Sequence, residues 1–195
     1  DGLINTLVLS QLALALTGIV SLLLFPFSSK LFAGKITRTL SQSGLIIMRS
    51  SPEYLLAFIG LLILGPSMLP AILALAIHNS AVIAHLLSVQ SQTLTFREDV
   101  SQGINLYVFE TLPRLYGSFL ALLFYRWEVI VRETAILGML GIPTLGFYID
   151  SAFEEIRFDR AILLILITAL LNILIDNIAV FLRKRMHFKH QPLSF

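Results

Sequence analysis

Residues 125–138 read YRWEVIVRETAILG, and four ionisable side chains, Arg126, Glu128, Arg132 and Glu133, stand within eight positions. The run SFLALLF precedes them and AILGMLGIPTLGFYI overlaps and follows them, both apolar enough for a bilayer. Charges at membrane depth are costly and mark function or a specific partner. Glu128 and Arg132 stand at i, i+4, the spacing of a same-face ion pair on a helix. Tyr125 and Trp127 are the amphipathic aromatics of a membrane interface, so a charged belt at the outer surface is the plainer reading. Gly138, Gly141, Pro143 and Gly146 then punctuate an apolar stretch too short to cross as an ideal helix. Irregular backbone at that depth must be buried in protein or line a cavity, which is the pattern of a gate or re-entrant segment over about 133–149.

Other polar groups interrupt apolar runs. In RSSPE, Arg49 and Glu53 are spaced to pair across one helix face, and Pro52 between them opens the backbone. Glu53 also suits the restart of a helix, where an acid stabilises the N-terminus. His78 and His85 lie seven apart on one span with no acid or cysteine at ligand spacing, so satisfied interior histidines are favoured over a metal site. Asp176 sits inside the last span and is expected to pair with a basic residue on a neighbour.

The elements that must hold these groups are set by composition. The 195-residue chain is 56% hydrophobic and 13% charged, with mean hydropathy +0.85. Soluble domains carry about 25% charged residues. An all-α membrane protein forming one domain over 1–195 is therefore expected. A separate soluble domain has no room, and nucleic-acid binding has no support from a net charge of +2. No cysteine is present, which removes thiolate chemistry and Cys-based metal sites. The chain begins at Asp1 with an apolar run and no basic leader region, the pattern of a segment cut from something longer.

About five spans are expected, near 4–27, 38–64, 70–88, 113–128 and 161–182, with Pro26 closing the first. Lys30, Lys35, Arg38 and the basic tail from Arg183 put those ends in the cytoplasm by the positive-inside rule, and the N-terminus of the segment outside. SAFEEIRFDR (151–160) reads as a mixed-charge external loop. The region 90–112 is the longest polar stretch and reads as two short helices broken at Gly103, with Leu112-Pro113 opening the next span. Such a helix either docks in a groove of a soluble partner or touches nothing.

In this order the pieces resemble the permease subunit of a binding-protein-dependent ABC importer, of the MetI-like fold and the phosphonate-type branch. The likeness rests on Arg49-Ser50-Ser51-Pro52-Glu53, on Tyr125-Arg126-Trp127-Glu128 with Arg132, and on the last span with its basic tail. It departs in the coupling loop, where the family's Glu-Ala-Ala is replaced by Arg97, Glu98, Asp99 and Val100 and Gly103 stands nearer to Leu112-Pro113 than usual. The family's glycine-rich run after the arginine is also partly replaced, by Gly141-Ile142-Pro143-Thr144-Leu145-Gly146, and both departures suit one half of a duplicated, fused permease or a branch with another substrate.

The resemblance implies a non-catalytic subunit of the bacterial cytoplasmic membrane that needs no cofactor. Its partners would be a cytoplasmic ATPase dimer, a periplasmic or lipid-anchored solute-binding protein and a second permease domain. Coupling would fall to Glu98, Asp99, Gly103, Leu112 and Pro113. The path or gate would draw on Arg49, Glu53, His78, Arg126, Glu128, Arg132 and Glu133, and the arginines favour an oxyanion such as a phosphonate. Two other classes compete: an intramembrane hydrolase, for which no nucleophile or metal motif is present, and a non-catalytic assembly subunit of a membrane complex.

Overall fold

A computed structural model describes residues 1–96 and 103–187. The described residues form seven α-helices: α1 Gly2–Ser28, α2 Lys35–Ser50, α3 Glu53–Leu64, α4 Leu69–Ser91, α5 Leu112–Gly138, α6 Leu145–Glu154 and α7 Phe158–His187, with a π-helical turn at Leu106–Thr111 running into α5.

The bundle is organised around α1 and α4, which make the most extensive helix pair. In lipid, burying an apolar face gains little, so helices associate through small residues that let backbones approach. The buried face of α1 follows this rule, with Thr6, Ser10, Ala13, Thr17, Gly18 and Ser21. On α4 the buried residues include Ala71, Ala74, Ala81 and Ala84. Two buried hydroxyls of α1 return to their own helix: Ser10 donates to the Leu7 carbonyl and Ser21 to that of Gly18, each at 2.9 Å. Large side chains such as Leu12, Ile19 and Leu23 point outward.

Three helices, α1, α4 and α7 as far as Arg185, are long and apolar enough to cross a membrane, and the α2–α3 pair makes a fourth if counted as one broken span. The protein is multi-pass. With 27 residues α5 is long enough to cross, but Arg126, Glu128, Arg132 and Glu133 interrupt its apolar run.

Several expectations are corrected. The run 38–64 is two helices bent by 92°. Ser51, forced to extended backbone by the proline after it, separates them. Pro26 lies inside α1, which ends two residues later. The span expected at 113–128 continues to Gly138, so YRWEVIVRETAILG is helical throughout and forms the last 14 residues of α5, up to the glycine-punctuated break. The external loop expected at 151–160 shrinks to residues 155–157 between α6 and α7. In the polar region, Gly103 takes a left-handed φ of 78°. The chain after it joins α5 through the π turn, so a free-standing second helix does not form.

Candidate functional site

The helix break at Ser51–Pro52 decides the site. Because the chain turns by 92° there, Glu53 no longer shares a helix face with Arg49, and that expected pair does not form. Glu53 instead opens α3 and meets α4, where its Oε1 lies 2.9 Å from His78 Nε2. The other ring nitrogen, Nδ1, lies 3.1 Å from the Ser51 carbonyl. His78 thus spans both sides of the break. Next to it on α4, Asn79 is fully buried and uses its amide to cap the Leu75 carbonyl at 2.8 Å. Its side-chain oxygen accepts from Arg126 of α5 at 3.4 Å. Glu133, two turns further along α5, lies beside Asn79 and within electrostatic reach of Glu53, His78 and Arg126. Its Oε2 is buried without a hydrogen-bond partner. A cavity of about 30 Å³ lies between Glu53 and Glu133, closed by Tyr54, Ile136 and Leu137, room for about one water.

The structure therefore brings together Glu53, His78, Arg126 and Glu133 from three helices. It leaves the rest of the expected path apart. Glu128 pairs with Arg132 along α5, on another face, where Arg132 is 62% exposed. Glu128 also faces Arg183 of α7 at 3.9 Å, and that guanidinium stacks over the Tyr125 ring at 5.5 Å. Arg49 is half-buried on α2, with His85 in its field. The pairing expected for Asp176 is absent: it has no ion-pair partner among the described residues. Of the expected coupling residues, Glu98 and Asp99 lie outside the described residues. Leu112 and Pro113 form the first turn of α5, and Gly103 is exposed. Nearby, Arg114 holds Glu110 at 2.6 Å and the Thr95 carbonyl at 2.9 Å, tying the end of the polar region to α5.

The glycine-punctuated segment forms a tight reversal. α5 ends at Gly138, the chain turns through Gly141 at φ 86°, and α6 begins at Leu145. α6 lies so close to α5 that a Cβ on Gly146 would sit 2.7 Å from the Ala135 carbonyl carbon. Thr144 donates to the Thr134 carbonyl at 3.0 Å. The α1 helix closes the reversal, since Asn5 donates to the Pro143 carbonyl at 2.8 Å and the Thr6 hydroxyl accepts from the Leu145 N–H at 2.9 Å. A groove of about 270 Å³ beside it is lined by Ile136, Met139, Ile149 and Phe153, with Asp150 its only charge. It suits an anion poorly.

Sequence reasoning missed Asn79, Thr6, Thr134 and Thr144. Asn79 was legible in part, as the polar neighbour of His78 in HNS within an apolar span. The threonines gave no signal, because hydroxyls inside apolar helices usually cap their own backbone.

The fold has solved counterparts. A crystal structure described as an amino acid ABC transporter with histidines superposes at TM-score 0.76 and 20% identity, over 94% of this chain and 92% of that one. An inward-facing MetNI methionine ABC transporter superposes at TM-score 0.78 and 16% identity, over 95% and 94%. The chain has the MetI-like fold of ABC transporter permeases. Within that class, curated sequence likeness runs to phosphorus oxyanion systems. The chain is 24% identical over 148 residues to the phosphite transport system permease protein PtxC of Stutzerimonas stutzeri, covering 73% of this chain and 53% of that protein. It is 22% identical over 188 residues to the phosphate-import permease protein PhnE of Mycolicibacterium smegmatis, covering 93% and 35%. The matches thus span about a third to a half of these relatives' lengths. No family model matches the sequence.

Proposed function

We propose that the chain is the membrane-embedded, non-catalytic permease part of a binding-protein-dependent ABC importer in a bacterial cytoplasmic membrane. The observation that carries this reading is the likeness to ABC transporter structures over nearly the whole chain at TM-scores of 0.76 and 0.78. A second permease domain, an identical chain or the other half of one polypeptide, completes the path. A cytoplasmic ATPase dimer acts on the region 90–112, with Glu98, Asp99, Gly103, Leu112 and Pro113 at the contact. An external binding protein delivers the solute, and the 133–149 segment serves as the gate. The N-terminus of the segment faces outward and the basic tail inward, following the positive-inside rule.

The solute is a small phosphorus oxyanion: phosphate, phosphite or a phosphonate. This rests on the names of the two curated relatives and on Arg126, a guanidinium held by a neutral amide at 3.4 Å with no ion-pair partner among the described residues. Such a guanidinium can present a planar fork to an oxyanion. Tight binding is not required, because transport follows from the differing stability of two states.

Two measurements test the reading. Full-length protein purified in mild detergent from its native membranes should bring an ABC ATPase with it, and repeated failure to recover one would sink the proposal. In proteoliposomes with the binding protein, ATP-dependent phosphate uptake should be competed by phosphite or methylphosphonate. Arg126→Gln should lower uptake at least tenfold, whereas Arg157→Gln, in the exposed α6–α7 loop, should leave it unchanged. Equal effects would remove Arg126 from the path.

A further inference from the structure

His78 touches two groups on opposite sides of the α2–α3 break, and hydrogen-bond chemistry limits how it can do so. The Ser51 carbonyl, 3.1 Å from Nδ1, can only accept, so Nδ1 carries a proton. Nε2 then faces Glu53 Oε1 at 2.9 Å. The two contacts hold together only if one further proton is present, on the imidazole or on the carboxyl. Without it the ring has one N–H for two acceptors, and a nitrogen lone pair faces either the Glu53 carboxylate or the Ser51 carbonyl. We propose that the Glu53–His78 contact is a one-proton latch on the helix break at Ser51–Pro52. Binding the proton holds α2 and α3 at their sharp angle, and losing it frees the break to open. The proposal goes beyond the transport reading and does not depend on which solute is carried.

The surroundings favour a hinge at this place. Ser51–Pro52 separates the two helices. The break lacks the ladder that would otherwise stiffen it, because proline has no N–H to donate. By contrast the other interruption, at 139–144, is fastened by Asn5, Thr6 and Thr144. The charged groups facing the latch are Glu133 and Arg126 of α5. On α4 the other titratable group is His85, in the field of Arg49 from α2. The α1 helix carries no ionisable side chain. Among the described residues Glu133 is therefore the one competitor for the same proton.

Residues 1–195 hold no cysteine, so spin labels placed in this segment meet no competing thiol within it. Ile36 on α2 and Ile63 on α3 are 78% and 75% exposed. With a rise of about 1.5 Å per residue and the observed 92° bend, these positions are roughly 29 Å apart, against roughly 40 Å if the two helices were collinear. Distances would be read by pulsed electron resonance on the full-length protein in lipid nanodiscs between pH 5 and pH 9. Wild type should show a single short distance at low pH and a longer population as pH rises. Glu53→Gln supplies an amide donor to Nε2 without an added proton, so it should stay short throughout. His78→Phe should show the long population even at pH 5. Glu133→Gln should keep the wild-type response. A distance unchanged with pH in wild type would overturn the latch. So would a pH response that survives Glu53→Gln or disappears in Glu133→Gln. The wild-type series decides even if a variant fails to fold.

Discussion

Replacing Gly146 by alanine should separate α6 from α5. The added Cβ would lie 2.7 Å from the Ala135 carbonyl carbon and 3.0 Å from its Cα, where ordinary contacts begin at 3.4 Å. All of these are backbone atoms, so no side-chain rotation relieves the overlap and α6 must shift by several tenths of an ångström or more. That shift stretches the Leu145 N–H bond to Thr6 from 2.9 Å toward the limit of about 3.2 Å for N–H donors, and takes the Thr144 hydroxyl bond to the Thr134 carbonyl beyond 3.0 Å, the upper end of the O–H range. Overpacking a close contact costs about 1–3 kcal/mol, and each weakened buried hydrogen bond adds up to about 1 kcal/mol. A total near 3 kcal/mol lowers the folding constant about a hundredfold. Two other glycines calibrate the measurement. Gly141 has open space around it and a φ of 86°, so Gly141→Ala should cost only the left-handed strain of about 1–2 kcal/mol. Gly44, inside α2 with nothing near its Cβ position, should gain about 0.5–1 kcal/mol as alanine. Unfolding by sodium dodecyl sulfate in mixed micelles, followed by far-UV dichroism or by the single tryptophan, should rank the variants Gly44→Ala, wild type, Gly141→Ala, Gly146→Ala. If Gly146→Ala is as stable as Gly141→Ala, the backbone contact between α5 and α6 does not exist as described.

Two further perturbations follow from the site. Removing the cap with Thr6→Val leaves the buried Leu145 N–H without its acceptor and should cost about 1–3 kcal/mol. Thr6→Ser should lose less than half as much in the same unfolding assay, and equal losses would mean that the methyl group matters and the hydroxyl does not. Reversing the α5 pair with Glu128→Arg and Arg132→Glu should recover uptake only in part, because an arginine at position 128 then confronts Arg183, now 3.9 Å from Glu128. Adding Arg183→Glu should complete the recovery; full recovery by the double change alone would show that the α7 contact is idle.

Much of the architecture was legible because helices in lipid announce themselves. Long apolar runs are the only way to satisfy a backbone across a bilayer, so α1, α4 and α7 stand out in the residues themselves. The break at Pro52 was legible too, since proline forbids the helix from passing unchanged. The Glu128–Arg132 pair follows from an i, i+4 spacing within one helix. Helix ends were less visible: α5 was read as stopping near position 128 because its charges resembled a surface belt, yet it runs to Gly138.

The partners of the buried charges lay outside what local spacing can tell. Sequence put Arg49 and Glu53 at pairing distance on the assumption of a straight helix; a bend of 92° turns Glu53 toward α4 and gives it to His78. Arg126 and Glu133 stand seven positions apart on one helix, but they become one electrostatic cluster only because Asn79 is buried between α4 and α5. The residue types, the spans and the break come from local chemistry: hydropathy, helix spacing and the geometry of proline. Which acid meets which base is decided by how the helices cross, because those contacts join groups dozens of residues apart and depend on an angle that no single segment encodes.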